Sequence, residues 1–412
     1  MARDYLQAIK DRVVIYDGGM GATLEQFDLT SEDYGGLQGK CHEALVLNRP
    51  DVIEGVHASM LEAGAEVVET DTFQASRIKL EEWGLADYTV EINTKAAEIA
   101  RKAAGENRFV AGSIGPTGYL PASEEASLGQ IRFRELVEVF AEQAAGLIDG
   151  GADLIIIETA QDILEVKAAV FGAREAFAST GRTLPIHTSV SLLPNGGKML
   201  LGTDISAVLT TLEALKVDVI GLNCSTGPED MRDAIRFLGE YCPVPVACIP
   251  NAGLPLQGPD GETIFPEKPA PLADALAEFV ERYGVGVVGG CCGTTPDHIS
   301  AIVERVGRTA ARPDGRPVAS RPAPRPPHLS SMIAATPLVQ EPRPTMVGER
   351  VNSQGSRKAK ELLLADDYDG LVQIAEDQVQ GGAHVLDLCV ALTERSDEDE
   401  QMRLVAKKVS LT

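Results

Sequence analysis

Basic side chains are scarce in this 412-residue chain: 37 Lys and Arg stand against 61 Asp and Glu, a formal net charge of −24. Phosphate binding needs a basic face, so this balance argues against nucleic acid as a partner. Long apolar runs are also missing. None reaches the roughly 18 residues that a membrane span requires, and no membrane association is expected. The opening MARDYLQAIKDR carries charges where a secretory h-region would be apolar, which points to the cytoplasm. Cysteine is sparse and odd in number, seven in all. That suits a reducing compartment with thiol or metal chemistry better than a disulfide framework. What the chain does have, 44% hydrophobic residues and 40 glycines, describes a globular α/β protein too long for a single core.

From residue 13 to about 308 one unit repeats: a short apolar strand, a Gly, Asn or Thr-rich turn, and an amphipathic helix. The strand candidates are VVIYD (13–17), EVVETDTF (66–73), FVAGSIG (109–115), DLIIIET (153–159), PIHTSVS (185–191), VDVIGLN (217–223), VPVACIP (244–250) and VGVVGG (285–290). Apolar strands with little alternation imply burial on both faces, as in a parallel sheet. Stretches such as RFRELVEVFAEQAAGLIDGG between them carry apolar residues at helical spacing. Eight such units close most economically as a (β/α)8 TIM barrel, whose chemistry sits where strands end and βα loops begin.

Three cysteines fall on that predicted rim: Cys224 after the sixth strand, and the adjacent Cys291 and Cys292 after the eighth. Together they offer three thiolates to one soft metal and leave a fourth position open, the pattern of a catalytic zinc. Any single cysteine could equally be a small buried hydrophobe. Neighbours on a regular strand point to opposite faces, so Cys291 and Cys292 converge only if the strand bends, and Gly289, Gly290 and Gly293 permit that. Other polar groups obey the same rule. Asp17, Gly18 and Gly19 end strand one, Thr70 and Asp71 fall near the end of strand two, Glu158 ends strand four, and Asn251 follows strand seven. Read without further context, Asp17 is as well a turn or cap residue, and Glu158 as well a rim salt bridge.

The motifs DGGMGATLE, ETDTFQASRIKL, IIIET, GLNCSTGP and GGCCGTTPDHI, in that order, resemble the homocysteine S-methyltransferase domain shared by cobalamin-dependent methionine synthases and betaine-homocysteine methyltransferases. The resemblance covers residues 10–308 and implies zinc held by Cys224, Cys291 and Cys292, with the homocysteine sulfur as incoming ligand. It further implies that Asp17 and Glu158 hold the substrate ammonium and that amides near Gly18 and Gly19, with Thr70, hold its carboxylate. Asn251 looks like the residue whose oxygen can fill the fourth metal position without substrate.

After residue 310 the composition changes. From Arg312 to Pro344 nine prolines fall in 33 residues, which reads as a linker over 311–344 in which SSMIAAT and PLVQ could form a small hairpin. Residues 345–412 then resemble the opening of a pterin-binding methyltetrahydrofolate barrel through GERVNSQGS and GAHVLDLCV, implying folate contacts from Asn352 and Asp387. Cys389 stands where that family often has Asn. Two strands of eight cannot close a sheet, so the second barrel is expected to be incomplete, with Ala383–Thr412 either poorly ordered or leaning on the first barrel. The three segments are thus 1–310, 311–344 and 345–412. Their order resembles that of methionine synthases, which implies methyl transfer to homocysteine from methylcobalamin on a further module, recharged from methyltetrahydrofolate. Two alternatives remain at this point: a stand-alone methyltransferase using S-methylmethionine or betaine, and a structural zinc barrel that scaffolds partners.

Overall fold

The computed structural model describes residues 4–37, 39, 41–120, 131–194, 196–258, 263–307 and 325–410. The chain divides into two compact units, Met1–Pro324 and Arg325–Thr412. The division falls within the proline-rich stretch, of which residues 311–324, with Arg312, Arg316 and Arg321, lie outside the described residues.

In the first unit eight parallel strands form one sheet: β1 (Val14–Ile15), β2 (Val67–Glu69), β3 (Phe109–Ile114), β4 (Leu154–Ala160), β5 (Ile186–Val190), β6 (Val219–Asn223), β7 (Val246–Ile249) and β8 (Val287–Val288). Their order is β1-β8-β7-β6-β5-β4-β3-β2, and a parallel bridge from Tyr16 to Val67 joins the two ends into a ring. This is the expected (β/α)8 barrel. The strands are buried on both faces, β3 and β4 throughout, because helices cover the outside and side chains fill the inside. Tyr16, Val67, Ala111, Ile156, Val219, Ala247 and Val287 belong to one core cluster. Residues from opposite sides of the ring meet only within it, so this cluster is the barrel interior.

Below that interior sits a short helix, Tyr5–Asp11, within the opening segment that the sequence marked only as lacking an apolar h-region. Asp4 caps it by accepting the Gln7 N–H, and it buries Tyr5, Ala8 and Ile9. The Tyr5 ring packs edge-on against Phe109, and its hydroxyl lies 2.8 Å from that of Tyr16. Among the described residues, no helix is long and apolar enough to cross a membrane.

In the second unit an antiparallel hairpin, β9 (His328–Ser330) with β10 (Ala335–Pro337), occupies the apolar part of the proline-rich stretch. A parallel pair follows, β11 (Val347–Asn352) with β12 (Val385–Cys389), joined by helices Arg357–Leu364 and Tyr368–Gln380. The two expected strands pair as a parallel sheet, but the expectation that Ala383–Thr412 would be poorly ordered is corrected. Residues 385–389 pair in β12, and Glu398–Ser410 is a helix. Val351, Ala359, Leu363, Leu371, Ile374, Val390 and Val405 close a core of their own. The physical reason is that three amphipathic helices supply the cover that a two-stranded sheet lacks; Leu411 and Thr412 lie outside the described residues.

Candidate metal and substrate site

Cys224 follows the last residue of β6, and it and Ser225 adopt left-handed backbone at φ 59° and 65°. A non-glycine residue adopts this conformation rarely, and here it ends the strand sharply. The loops after β7 and β8 are laced together. Cys291 N–H donates to the Pro250 carbonyl (2.8 Å), Cys292 N–H to Asn251 Oδ1 (3.1 Å), and Ala252 N–H to the Cys292 carbonyl (2.9 Å). The bend that the adjacent pair requires is completed at Gly293, with φ +78°, where a Cβ would lie 2.2 Å from Phe265 Cγ.

These constraints bring the three sulfurs within 4.8 Å of one another, with Cys224 and Cys292 at 3.8 Å. A tetrahedral zinc with bonds of about 2.3 Å spaces its sulfurs by about 3.8 Å, so the donor set fits. The charges agree with the spacing. Hydrogen bonds from Cys291 and then Cys292 lower the Cys224 thiol to about 3. The hydrogen bonds to Cys224 push Cys291 up, together with burial, and Cys292 up to about 12. A second or third thiolate so close to the first calls for a cation.

The sulfurs open onto a cleft of about 920 Å3 that is also lined by Asp17, Gly18, Gly19, Thr70 and Glu158. The five residues assigned to substrate therefore share one cavity with the three thiols. Asp17 accepts the Glu69 N–H at 3.0 Å, and Glu158 accepts Ser113 Oγ–H at 2.5 Å. Burial pushes Glu158 up to about 7, and burial with repulsion from neighbouring carboxylates raises Asp17 and Glu69 well above the usual range. Three carboxyls converge here, and a cation among them would favour their ionised forms. Glu69 was missed in the sequence; its signal is a Glu closing the otherwise apolar run of EVVETDTF.

The carboxylate side is more constrained. Gly19 N–H already donates to Thr294, whose Oγ1 lies at 3.0 Å. Thr72 Oγ1 donates to the Ser113 carbonyl at 2.7 Å, so the 2.6 Å contact between Thr70 and Thr72 uses the Thr70 proton. Thr70 also accepts Ser113 N–H at 2.9 Å. As placed, its hydroxyl offers the cleft a lone pair rather than a proton. Asn251 is buried with Oδ1 on the Cys292 amide, and its side chain also hydrogen-bonds Cys224 and helps to lower that thiol. The expected fourth-ligand oxygen is thus turned to the backbone, and Asn251 here braces the Cys292 amide and the Cys224 sulfur.

In the second unit, β11 and β12 place Asn352 and Asp387 side by side, with Asn352 Nδ2 donating to Asp387 Oδ2 at 2.7 Å. Asn352 Oδ1 accepts the N–H groups of Gln354 (2.8 Å) and Gly355 (3.1 Å), which shapes the GERVNSQGS turn.

Residues 14–306 match the family described as homocysteine S-methyltransferase, and residues 348–411 match the pterin binding enzymes. The methionine synthases of Mycobacterium leprae (strain TN) and Mycobacterium tuberculosis (strain ATCC 25618 / H37Rv) are each 41% identical to the chain. The alignments cover 99% of this chain and 34% and 33% of theirs, so the chain spans about a third of the length of these relatives. Among solved structures, the metallated form of the homocysteine methyltransferase MmuM from Escherichia coli superposes with a TM-score of 0.57 at 25% identity, covering 71% of this chain and 96% of that one. The oxidized form gives a TM-score of 0.56 with the same coverage.

Proposed function

The chain belongs to the homocysteine S-methyltransferase family, and from that premise we propose that it transfers a methyl group to the thiol of homocysteine, giving methionine, as part of a methionine synthase. The observation that carries the reading is the shared cleft: three thiols at metal-ligand spacing and a cation-seeking carboxyl cluster line one cavity.

Cys224, Cys291 and Cys292 would hold zinc. Bound there, zinc would supply a Lewis acid that deprotonates the substrate thiol near neutral pH; against a free thiol pKa of about 8.5 that raises the nucleophile by roughly 30-fold, about 2 kcal/mol. That is too little for catalysis. Alignment must supply the larger share, and effective molarity can contribute roughly 7–11 kcal/mol. The carboxyls of Asp17 and Glu158 would take the ammonium, and amides near Gly18 would face the carboxylate. The thiol proton is lost, the S–CH3 bond forms as the donor's bond to carbon breaks, and the leaving group keeps the electron pair.

The two-unit order supports methylcobalamin on another module of the full-length protein as donor and methyltetrahydrofolate as its source, with Asn352 and Asp387 on the folate side. The reading places the protein in the cytoplasm. The test is transfer from free methylcobalamin to homocysteine by the zinc-loaded chain, with zinc-edge X-ray absorption in parallel. Transfer should vanish in Cys292→Ser, and the sulfur shell should grow from three to four on adding homocysteine. Transfer that persists in Cys292→Ser stripped of zinc refutes the proposal; an unchanged closed shell favours a structural zinc. Transfer from S-methylmethionine or betaine without cobalamin would instead identify a stand-alone enzyme.

A further inference from the structure

Asn223, the last residue of β6, is 1% exposed and is a hub that the proposed mechanism does not use. Its Nδ2 donates to Thr159 Oγ1 at 2.8 Å and to Glu158 Oε2 at 3.1 Å, and lies 3.9 Å from Cys291 Sγ. Its Oδ1 accepts the Thr159 N–H at 2.7 Å. Ser191 Oγ donates to its carbonyl at 2.7 Å and fixes the strand end from the other side.

The backbone at Thr159 explains why such a clamp is needed. Thr159 is β-branched yet sits at φ 53°, in the left-handed region, and the β4–β5 register shifts between Ile157 and Ala160. A bulge of this kind re-aims one side chain, and a conformation this unfavourable persists only where neighbours over-determine it. The side chain concerned is Glu158, which lines the cleft. One amide group therefore holds the bulge and the carboxylate that the bulge aims, and sits beside a sulfur of the thiol cluster.

We propose that Asn223 is a positioning residue that sets the Glu158 carboxylate at a fixed distance from Cys291, and so makes the site selective for a thiol carrying an ammonium group. This rests on the functional reading above. The link to Glu158 runs through the Nδ2 donor, whereas the link to the Thr159 amide runs through Oδ1, and substitutions separate them. Asn223→Ala removes both; Asn223→Asp keeps the acceptor for Thr159 and loses the donor.

The experiment compares two thiols with the zinc-loaded full chain and free methylcobalamin: homocysteine, and 4-mercaptobutyrate, which has the thiol and carboxylate but no ammonium. In Asn223→Ala and Asn223→Asp, the ratio of kcat/KM for homocysteine over 4-mercaptobutyrate, per bound zinc, should fall at least tenfold. The fall should come mainly from a higher KM for homocysteine, with kcat/KM for 4-mercaptobutyrate within twofold of the parent. If both thiols lose rate equally, or the ratio stays within twofold of the parent, the positioning role is overturned. Should Asn223→Ala fail to fold, Asn223→Asp decides alone. An unsubstituted chain that methylates neither thiol overturns the functional reading itself, a result distinct from an active parent with unselective variants.

Discussion

Gly19→Ala tests whether the substrate loop and the cysteine loop are one packed unit. Gly19 has φ −65° and ψ 111°, which any residue adopts, so backbone strain plays no part. With open space around it, the substitution would stabilise the fold by about 0.4–1 kcal/mol through the unfolded chain. Space is absent: a Cβ would lie 2.6 Å from the Cys291 carbonyl oxygen and 3.3 Å from its carbon. Ordinary contact begins near 3.4 Å, so the loops must part by about 0.8 Å. Both obstructing atoms are backbone, which cannot rotate away as a side chain would. Parting them also stretches the Gly19 N–H bond to Thr294 Oγ1, now 3.0 Å. Overpacking of this kind costs about 1–3 kcal/mol, enough to outweigh the entropic gain. Gly55 provides the control. It is exposed in the helix Pro50–Glu62, and a Cβ added there would meet nothing within 4 Å, so Gly55→Ala should stabilise by about 0.5–1 kcal/mol. Urea unfolding of the full chain, with zinc titration of each variant, measures both effects. Weaker zinc binding and lower stability in Gly19→Ala, beside a stabilised Gly55→Ala, is the expected result; a Gly19→Ala protein as stable and as zinc-avid as its parent would refute the packing argument.

Two further outcomes are expected. Burial holds Glu165 at about 7 against an ordinary 4.5, while its Oε1 accepts both the N–H and the hydroxyl of Thr117. The folded state then binds more protons than the unfolded state between those values. Its stabilising share is complete below pH 4.5 and lost as pH rises through about 7, amounting to about 3 kcal/mol. Glu165→Gln keeps the acceptor and removes the titration, so its stability curve should be flatter across that window; an unchanged slope in urea unfolding at stepped pH counts against the assignment. In the second unit, Val405 is 1% exposed in the local core. Val405→Ala should cost about 2 kcal/mol and speed amide exchange at Val351 and Leu363, whereas unchanged exchange there would mean that the helix Glu398–Ser410 does not cover β11.

Much of the architecture was legible in the chain because it rests on periodicity. Eight apolar runs without alternation, such as IIIET and VIGLN, have one economical solution, and each observed strand falls inside its predicted run except β4, which runs one residue further, to Ala160. Cys224, Cys291 and Cys292 were legible for the same reason, since a strand end in a parallel barrel is a fixed place in space. The second unit was misjudged because strand count was weighed without the helices, and its core is mostly helical.

What the sequence determined by itself was therefore the barrel, its working rim and the residues on it, all properties of local pattern and covalent order. Tertiary structure alone decided how those residues act together. The direction of the Asn251 oxygen, the spent Thr70 proton, the convergence of Glu69 with Asp17 and Glu158, and the hub at Asn223 each depend on partners from 2 to 68 residues away. Hydrogen-bond saturation and burial are properties of a packed neighbourhood, and the neighbourhood exists only once the ring has closed.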